Sequence, residues 1–353
     1  MSEAVAGKLA QLVESGWVSW ESFMAIALYD EEFGFYRQTS DVLGQSGSFS
    51  TFFHRSELSG NCISNWLQKG RNKQVLELGG GSGSAMRRWQ KQLSGSILPS
   101  LSSWRWHVLE ISPALRAKQR MVLPSRITTW HETIAEALAT TSGEADVVAN
   151  EFIDAFPCVL LEWTGEEWHE VGVKLAAGTK PLLRWDRQPL GPRAQDALAG
   201  SSLSEIKPHD LRLGQRAEVH WSFREWLQSF ANGWSQGRAL FIDYGGRQPW
   251  RGSLAGTLRG YFRHHEVRDK ELLTRIGKQD LTADVCVLDF ERWVAEVGLV
   301  VSRHCSLADF LHEQLTRKIP QGDEDSRWLD VNDAGGQFFV FELERARRTT
   351  SAF

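Results

Sequence analysis

Apolar positions along the chain change their spacing near residue 70. Before it they recur at helical intervals. Val5, Leu9, Leu12 and Val13 form one face, and Phe23–Leu28 follows a serine N-cap signal at Ser19–Ser22. Ser56–Lys69 reads as a further helix, after an aromatic, glycine-broken stretch at Tyr29–Tyr36 and a Gly/Ser loop around Gly44–Ser50. From Gln74 short apolar runs alternate with amphipathic stretches. Strands are expected near Gln74–Leu78, Trp106–Glu110, Arg126–Trp130, Asp146–Asn150 and Ala239–Asp243, with helices between the first four. These runs barely alternate in polarity, as parallel strands buried on both faces require.

The interval from Val159 to Gly237 breaks this rhythm. Val159–Trp163 and Trp168–Val173, around Gly165, predict a β-hairpin. The polar stretch Gly178–Gly214 predicts a mobile connection, and Phe223–Asn232 a helix leading back to the sheet. A second polar segment, Gly245–Asp280, precedes a helix at Asp289–Val297, and Gly336–Leu343 suits a closing antiparallel strand. The expected organisation is therefore a helical cap over 1–70, an α/β core over 71–158 and 237–347, and an inserted subdomain over 159–236.

Composition narrows the class. The chain has 353 residues, 42% hydrophobic and 24% charged, which is ordinary for a globular protein with a substantial core. A net charge of −4 argues against a nucleic-acid-binding surface spread over the whole molecule. No run approaches the ~18 apolar residues of a membrane span, so no membrane insertion is expected. Cys62, Cys158, Cys286 and Cys305 are far apart and lack metal-ligand spacing, which predicts free thiols in a reducing compartment. The N-terminus has neither a secretory apolar core nor an arginine-rich face, so a cytoplasmic location is expected. Of the sixteen tryptophans, Trp17, Trp20, Trp66 and Trp89 flank helices expected at the surface. Packing of an insert onto the sheet explains them better than ligand stacking, and a tryptophan-rich surface leaves a homodimer open.

The most informative chemistry lies at the strand ends. Val75-Leu-Glu-Leu-Gly-Gly-Gly-Ser-Gly-Ser84 runs an apolar strand into a glycine cluster, and His107-Val-Leu-Glu110 ends in a lone carboxylate. In an open α/β sheet ligands sit at the carboxyl ends of the strands. Glycines admit a ligand against the backbone, and a carboxylate at the next strand tip can bind both ribose hydroxyls. Gly79, Gly81 and Gly83 are spaced G-x-G-x-G, not G-x-G-x-x-G, and Glu77 precedes them inside the strand. A carboxylate beside the loop suits S-adenosylmethionine, a sulfonium and ammonium without phosphate, better than a dinucleotide. The glycines alone fit a plain tight turn equally well.

Asn150-Glu-Phe-Ile-Asp-Ala-Phe-Pro157 follows the fourth strand and offers an amide, two carboxylates and a proline-stiffened turn to the same crevice. A capped helix N-terminus explains it as well. Asp243-Tyr-Gly-Gly246 ends the fifth strand. Gly256-Thr-Leu-Arg-Gly-Tyr-Phe-Arg-His-His265 is a basic, aromatic loop, in which His265 could serve as a base. No metal is expected, because no His, Cys or carboxylate neighbours stand at ligand spacing.

In order, these segments resemble the MidA-like family of class I S-adenosylmethionine-dependent methyltransferases, whose mitochondrial members are protein arginine methyltransferases that assist assembly of respiratory complex I. The resemblance runs from about residue 20 to 343. It rests on Ala27–Tyr36, Leu76–Gly83, Leu109-Glu-Ile-Ser-Pro-Ala-Leu-Arg-Ala-Lys-Gln119, Asn150–Pro157, Ile242–Gly245, Gly256–Arg259 with His265, and Asp280–Val285. It implies a class I, Rossmann-like fold with a mostly parallel seven-stranded sheet, an N-terminal helical extension and an inserted subdomain. It also implies methyl transfer to a protein side chain, arginine by resemblance. In that frame Gly79, Gly81 and Gly83 cradle the methionine part of the cofactor, Glu110 meets the ribose and the Thr129–Glu132 strand end, with His131 and Glu132, the adenine, while Glu77, Ile111 and Asn150 are further cofactor contacts. Glu151 and Asp154, then Asp243 and His265, are the candidates to orient an arginine nucleophile and accept its proton.

The chain departs from the family pattern in three places. Thr-Ser-Pro-Glu-Ile-Ser followed by Phe-Gly-Glu becomes Thr51-Phe-Phe-His-Arg-Ser56 and Ser59-Gly-Asn61, so two carboxylates are replaced by His54 and Asn61. Gly80 replaces a proline, and Asp284 a histidine. Two other readings therefore stay open: a cofactor-binding assembly protein without turnover, and a methyltransferase for a small molecule.

Overall fold

A computed structural model describes residues 16–38, 52–93, 103–176, 182–315 and 323–346. The helix expected over Val5–Val13, the Gly44–Ser50 loop and Thr51 lie outside them. The described residues fall into two compact units. A core unit takes those of Thr51–Phe152, Glu225–Tyr244 and Phe290–Phe353. An accessory unit takes those of Met1–Ser50, Ile153–Arg224 and Gly245–Asp289.

The core unit is built on strands β1 (Gln74–Leu78), β2 (Arg105–Leu109), β3 (Thr128–His131), β4 (Asp146–Asn150), β5 (Ala239–Gly246), β6 (Leu299–Ser306) and β7 (Phe338–Arg345). They lie in the order β6-β7-β5-β4-β1-β2-β3. The four contacts among β5, β4, β1, β2 and β3 are parallel, whereas β7 is antiparallel to both β5 and β6. A two-residue strand, Val285–Cys286, pairs with Gly245–Gly246. Among the described residues the sheet is thus mixed and has eight strands where seven were expected; five of its pairings are parallel, and the two antiparallel ones both involve β7. β6 escapes the sequence pattern because its inner and outer residues alternate, so it lacks the continuous apolar run of the parallel strands.

Local sequence sets the connections. Ser112 caps the helix Pro113–Val122 by accepting from Leu115 N at 3.3 Å, and Pro113 occupies the first turn, where its missing N–H costs nothing. Thr133 and Ser306 cap Ile134–Thr140 and Leu307–Gln314 in the same way. Helix Ser84–Leu93 buries Ala85, Met86, Trp89 and Gln90, one stripe of a 3.6-residue repeat. Trp66 and Trp89, with Trp106, Phe310 and Val340, fill one hydrophobic cluster of this unit. Phe241, Phe290 and Phe341 form another contact chain, Phe290 stacking on Phe341 with centroids 4.3 Å apart. Phe341→Ala would open a cavity there and should cost about 3–5 kcal/mol, read as a lower urea midpoint with an unchanged slope.

The accessory unit contains two antiparallel sheets. In the first, Trp168–Ala176 lies between Val18–Ser19 and Val159–Trp163, the latter also pairs with Arg216–Val219, and Leu182–Pro189 pairs with Trp168–Ala176. The hairpin expected around Gly165 is present. The mobile connection is not: within its described residues Gly178–Gly214 holds that strand and helix Pro192–Ala199. Its polarity reflects an outward face with cross-strand charge pairs, such as Lys174–Asp186 at 2.7 Å. Likewise Gly245–Asp280 carries most of a second sheet, Arg259–Phe262 flanked by His265–Val267 and Asp280–Thr282. Helix Trp20–Tyr29, capped by Ser19, packs Trp20, Phe23 and Met24 into the apolar cluster of this unit. Trp20, Trp66 and Trp89 are all buried, so they pack cores and do not form the exposed tryptophan-rich surface that left a homodimer open.

Candidate cofactor site

The glycine loop leaves β1 at Leu78. Gly79, Gly81 and Gly83 have φ of +65°, +53° and +79°, a region where a side chain is strained. Gly80 is constrained differently: a Cβ there would lie 2.7 Å from Val108 Cγ1, so the usual proline would require Val108 to move. Gly79 N donates to Leu109 O at 2.9 Å, which ties the loop to the end of β2.

Two buried carboxyls flank the loop. Glu77 is 4% exposed, and no hydrogen bond to its Oε2 occurs among the described residues. Burial pushes its pKa well up, the Glu110 charge adds to this, and Arg88 opposes it. Glu110, just beyond β2, is 5% exposed and accepts from Ser112 N at 2.9 Å and from Gln119 Nε2 at 3.2 Å. Burial raises its pKa to about 7, while those donors and Arg116 pull it down. A nearby cation would help these carboxyls ionise, and once ionised Glu77, beside the glycine loop, disfavours a pyrophosphate there. The pair and the left-handed glycines therefore fit S-adenosylmethionine and not a dinucleotide. Ile111 is half-buried beside Glu110.

The other expected cofactor residues are placed as follows. His131, buried at the end of β3, stacks on His107 with ring nitrogens 3.1 Å apart. Burial lowers both pKa values, that of His107 to about 4, so the pair is neutral at pH 7. Glu132 is exposed and paired with Arg116. Asn150 ends β4 and donates to Glu151 Oε1 at 3.2 Å. Gln119, Ser112 and Trp130 were not singled out from the sequence. The available signal was Gln119, a polar residue one turn from Leu115 on the apolar stripe of its helix.

The four catalytic candidates divide between the units. Glu151 and Asp243 lie in the core unit. Glu151 has φ +47°, uncommon for a non-glycine residue and often found at functional turns, and its Oε1 also accepts from Phe52 N at 3.2 Å. Asp243 is 1% exposed and accepts from Phe152 N at 3.1 Å and Tyr244 N at 3.0 Å, so its carboxylate shapes the turn that carries Glu151. Asp154 and His265 lie in the accessory unit. Asp154 accepts from Thr282 Oγ1 at 2.7 Å, and Asp280 from the Tyr36 hydroxyl at 2.8 Å. Burial, reinforced by the Asp154 charge, raises the Asp280 pKa to about 8. Arg259 pairs with Asp284 at 2.6 Å. The motif segments of this unit thus lock one another. His265 is exposed on the edge strand of the small sheet. Of the altered segment, Phe52 and Phe53 are buried against Trp328 and Trp89, and Asn61 bonds Gln92 at 2.7 Å. No grouping of three metal-ligating side chains occurs among the described residues.

Residues 58–305 match the family model described as "Putative S-adenosyl-L-methionine-dependent methyltransferase". Curated relatives include the mitochondrial protein arginine methyltransferase NDUFAF7 of Xenopus tropicalis, 28% identical over 82% of this chain and 70% of that protein. The homolog of Drosophila melanogaster is 27% identical over 81% and 68%. A crystal structure of a Burkholderia thailandensis COG1565 superfamily protein bound to S-adenosyl-homocysteine superposes with a TM-score of 0.82 at 22% identity, covering 97% of this chain and 92% of that one. A native structure described as an uncharacterized COG1565 superfamily protein of the same species gives 0.79 at 23% identity. The fold is therefore that of the class I S-adenosylmethionine-dependent methyltransferases. The frog and fly relatives are named as mitochondrial, which overturns the cytoplasmic expectation. Free thiols mark any reducing compartment, so composition could not separate the two. With 58–305 matched by its model, the chain belongs to the MidA-like family of S-adenosyl-L-methionine-dependent methyltransferases.

Proposed function

We propose that the protein methylates an arginine side chain of a protein substrate, in support of respiratory-complex assembly. The observation that carries the cofactor half is the pair of buried carboxyls, Glu77 and Glu110, beside the left-handed glycine loop. The arginine half is supported by the named activity of the frog and fly relatives. S-adenosylmethionine supplies an electrophilic methyl on a sulfonium. Gly79, Gly81 and Gly83 cradle its methionine part and the Glu110 carboxylate holds the ribose hydroxyls, while Ile111 and the end of β3 with His131 and Glu132 border the adenine. Asn150 orients Glu151. A guanidine has a free pKa of about 13.8, so the acceptor arrives charged. Glu151 holds it by charge-assisted hydrogen bonds and takes its proton as the methyl arrives, with Asp154, Asp243 and His265 as further candidates. Alignment alone contributes on the order of 7–11 kcal/mol to such a displacement. The strands and helices of 159–236, proposed as a subdomain inserted in sequence between the 71–158 and 237–347 parts of the core, with 1–70 as a separate cap, offer the protein substrate a docking surface.

The test is incubation of the full chain with methyl-labelled S-adenosylmethionine and mitochondrial extract. Label recovered as methylarginine supports the proposal, and label on a small molecule or another side chain rejects it. A second reading, a cofactor-binding assembly protein without turnover, is favoured by Phe52 and Phe53, buried where the family carries Ser-Pro. Binding of S-adenosylhomocysteine with no labelled product would select it.

A further inference from the structure

The helix Pro113–Val122 carries one side chain that the cofactor reading does not use. Gln119 is fully buried. Its Nε2 donates to Gly81 O at 2.8 Å and to Glu110 Oε2 at 3.2 Å, and its Oε1 accepts from Trp130 Nε1 at 3.0 Å. The amide can point only one way: an indole N–H only donates, whereas a carbonyl and an ionised carboxylate only accept. Turning the amide over would oppose donor to donor at Trp130 and acceptor to acceptor at Gly81 and Glu110. The side chain also lies directly against the loop, since a Cβ on Gly83 would meet Gln119 Cγ at 3.2 Å and one on Gly80 would meet Nε2 at 3.3 Å. One amide therefore joins the ends of three neighbouring strands: the glycine loop after β1, the carboxylate after β2 and the indole in β3.

We infer that Gln119 is a positioning residue for the cofactor, fixing the distance between the loop that cradles the methionine part and the carboxylate that holds the ribose. The inference rests on the cofactor site proposed above. A residue that grips both ends sets how well one ligand can satisfy them together, because a long ligand binds tightly only where its two subsites are already spaced for it. The same amide favours the ionised form of Glu110, as do Ser112 N and Arg116, against burial. Glu77 on β1 faces the same carboxyl, and Glu132, beyond β3, pairs with Arg116. Removing Gln119 takes away one of the donors holding that carboxylate, so the pH at which the ribose end becomes competent should rise. A purely structural role would lower thermal stability without moving that pH.

The experiment is calorimetric titration of the full chain with S-adenosylhomocysteine from pH 6 to 9, for the wild type, Gln119→Leu and Trp130→Phe. Gln119→Leu keeps the volume and removes the amide. It should weaken binding about tenfold to a hundredfold at pH 8, the range for leaving buried partners unsatisfied, and move the pH midpoint of binding upward. Trp130→Phe keeps Gln119 but removes the donor that orients it, and should weaken binding by a smaller factor, about threefold. If Gln119→Leu does not fold, Trp130→Phe decides. A folded Gln119→Leu, or failing that Trp130→Phe, with wild-type affinity and midpoint overturns the role of Gln119 alone. A wild type that does not bind S-adenosylhomocysteine at any pH overturns the cofactor reading and this inference with it.

Discussion

Replacing Glu110 with alanine should abolish measurable S-adenosylhomocysteine binding, a loss of at least about a hundredfold for two charge-assisted hydrogen bonds. The pH dependence makes this sharper than a simple deletion. Burial raises the pKa of Glu110 to about 7, above the ordinary value of 4.5. Ribose hydroxyls donate to the ionised carboxylate, so binding is favoured above pH 7 and fades below it. One titrating group with that pKa predicts affinity about tenfold weaker at pH 6 than at pH 8. Glu110→Gln, which has no charge to lose, should bind weakly with a flat profile over the same range. Stability has the opposite slope. A carboxyl whose folded pKa exceeds its unfolded value binds its proton more tightly when folded, so it supports the ligand-free fold below pH 4.5 and loses that support as pH rises to about 7. The ligand-free protein should therefore melt lower at pH 8 than at pH 5 through this group, and saturating S-adenosylhomocysteine should offset the difference. An affinity independent of pH, with Glu110→Ala binding as well as the wild type, would remove Glu110 from the site.

Glu151→Gln should cut turnover by about a hundredfold to ten-thousandfold, the usual range for a positioned proton acceptor, with cofactor affinity within a factor of two or three. The structure says why the two effects should separate. Glu151 Oε1 accepts from Phe52 N and Asn150 Nδ2, and a glutamine oxygen can accept both. The turn is held independently by Asp243, through Phe152 N and Tyr244 N, and by Glu151 N donating to Ile242 O. What glutamine cannot do is neutralise a guanidinium or take its proton. Single-turnover rates of methyl transfer, beside calorimetry on the same preparation, test this. Equal rates for variant and wild type would take Glu151 out of the mechanism and leave Asp154, Asp243 and His265 as the remaining candidates.

The parts of the fold that could be read from sequence are those whose burial leaves a simple trace. β1, β2 and β4 are covered on both faces, so Val75–Leu78, Trp106–Leu109 and Asp146–Ala149 are nearly unbroken apolar or buried runs. Ser19 announced its helix because a hydroxyl before an apolar stripe answers the unsatisfied N–H groups of a first turn; Ser56 and Ser112 cap their helices in the same way, but only the structure shows it. β6 and Leu182–Pro189 left no such trace, because each shows one face outward and spends half its residues on charge and polarity. The site follows the same division. The left-handed glycines and Glu110 stand at strand ends, where the α/β architecture directs attention. Gln119 does its work from inside a helix, through partners 11 and 38 positions away in sequence. No local pattern encodes those distances. Nor could linear order show that Glu151 and Asp154, three residues apart, belong to different units.

The strand order has a consequence during synthesis. β4 pairs with β1 on one side and with β5 on the other, but Ala239 is made 89 residues after Asn150. At about 5–20 residues per second, the apolar edge of β4 waits about 4–18 s for its partner. The delay recurs at the far edge, where β6 reaches the sheet only through β7, the strand made after it. A nascent chain halted anywhere between Asn150 and Ala239 presents Val147, Val148 and Ala149 beside unpaired backbone groups, the kind of edge onto which other chains add. Truncated products should therefore aggregate instead of accumulating as soluble fragments, and the full chain should need protection by chaperones until its last strand is made.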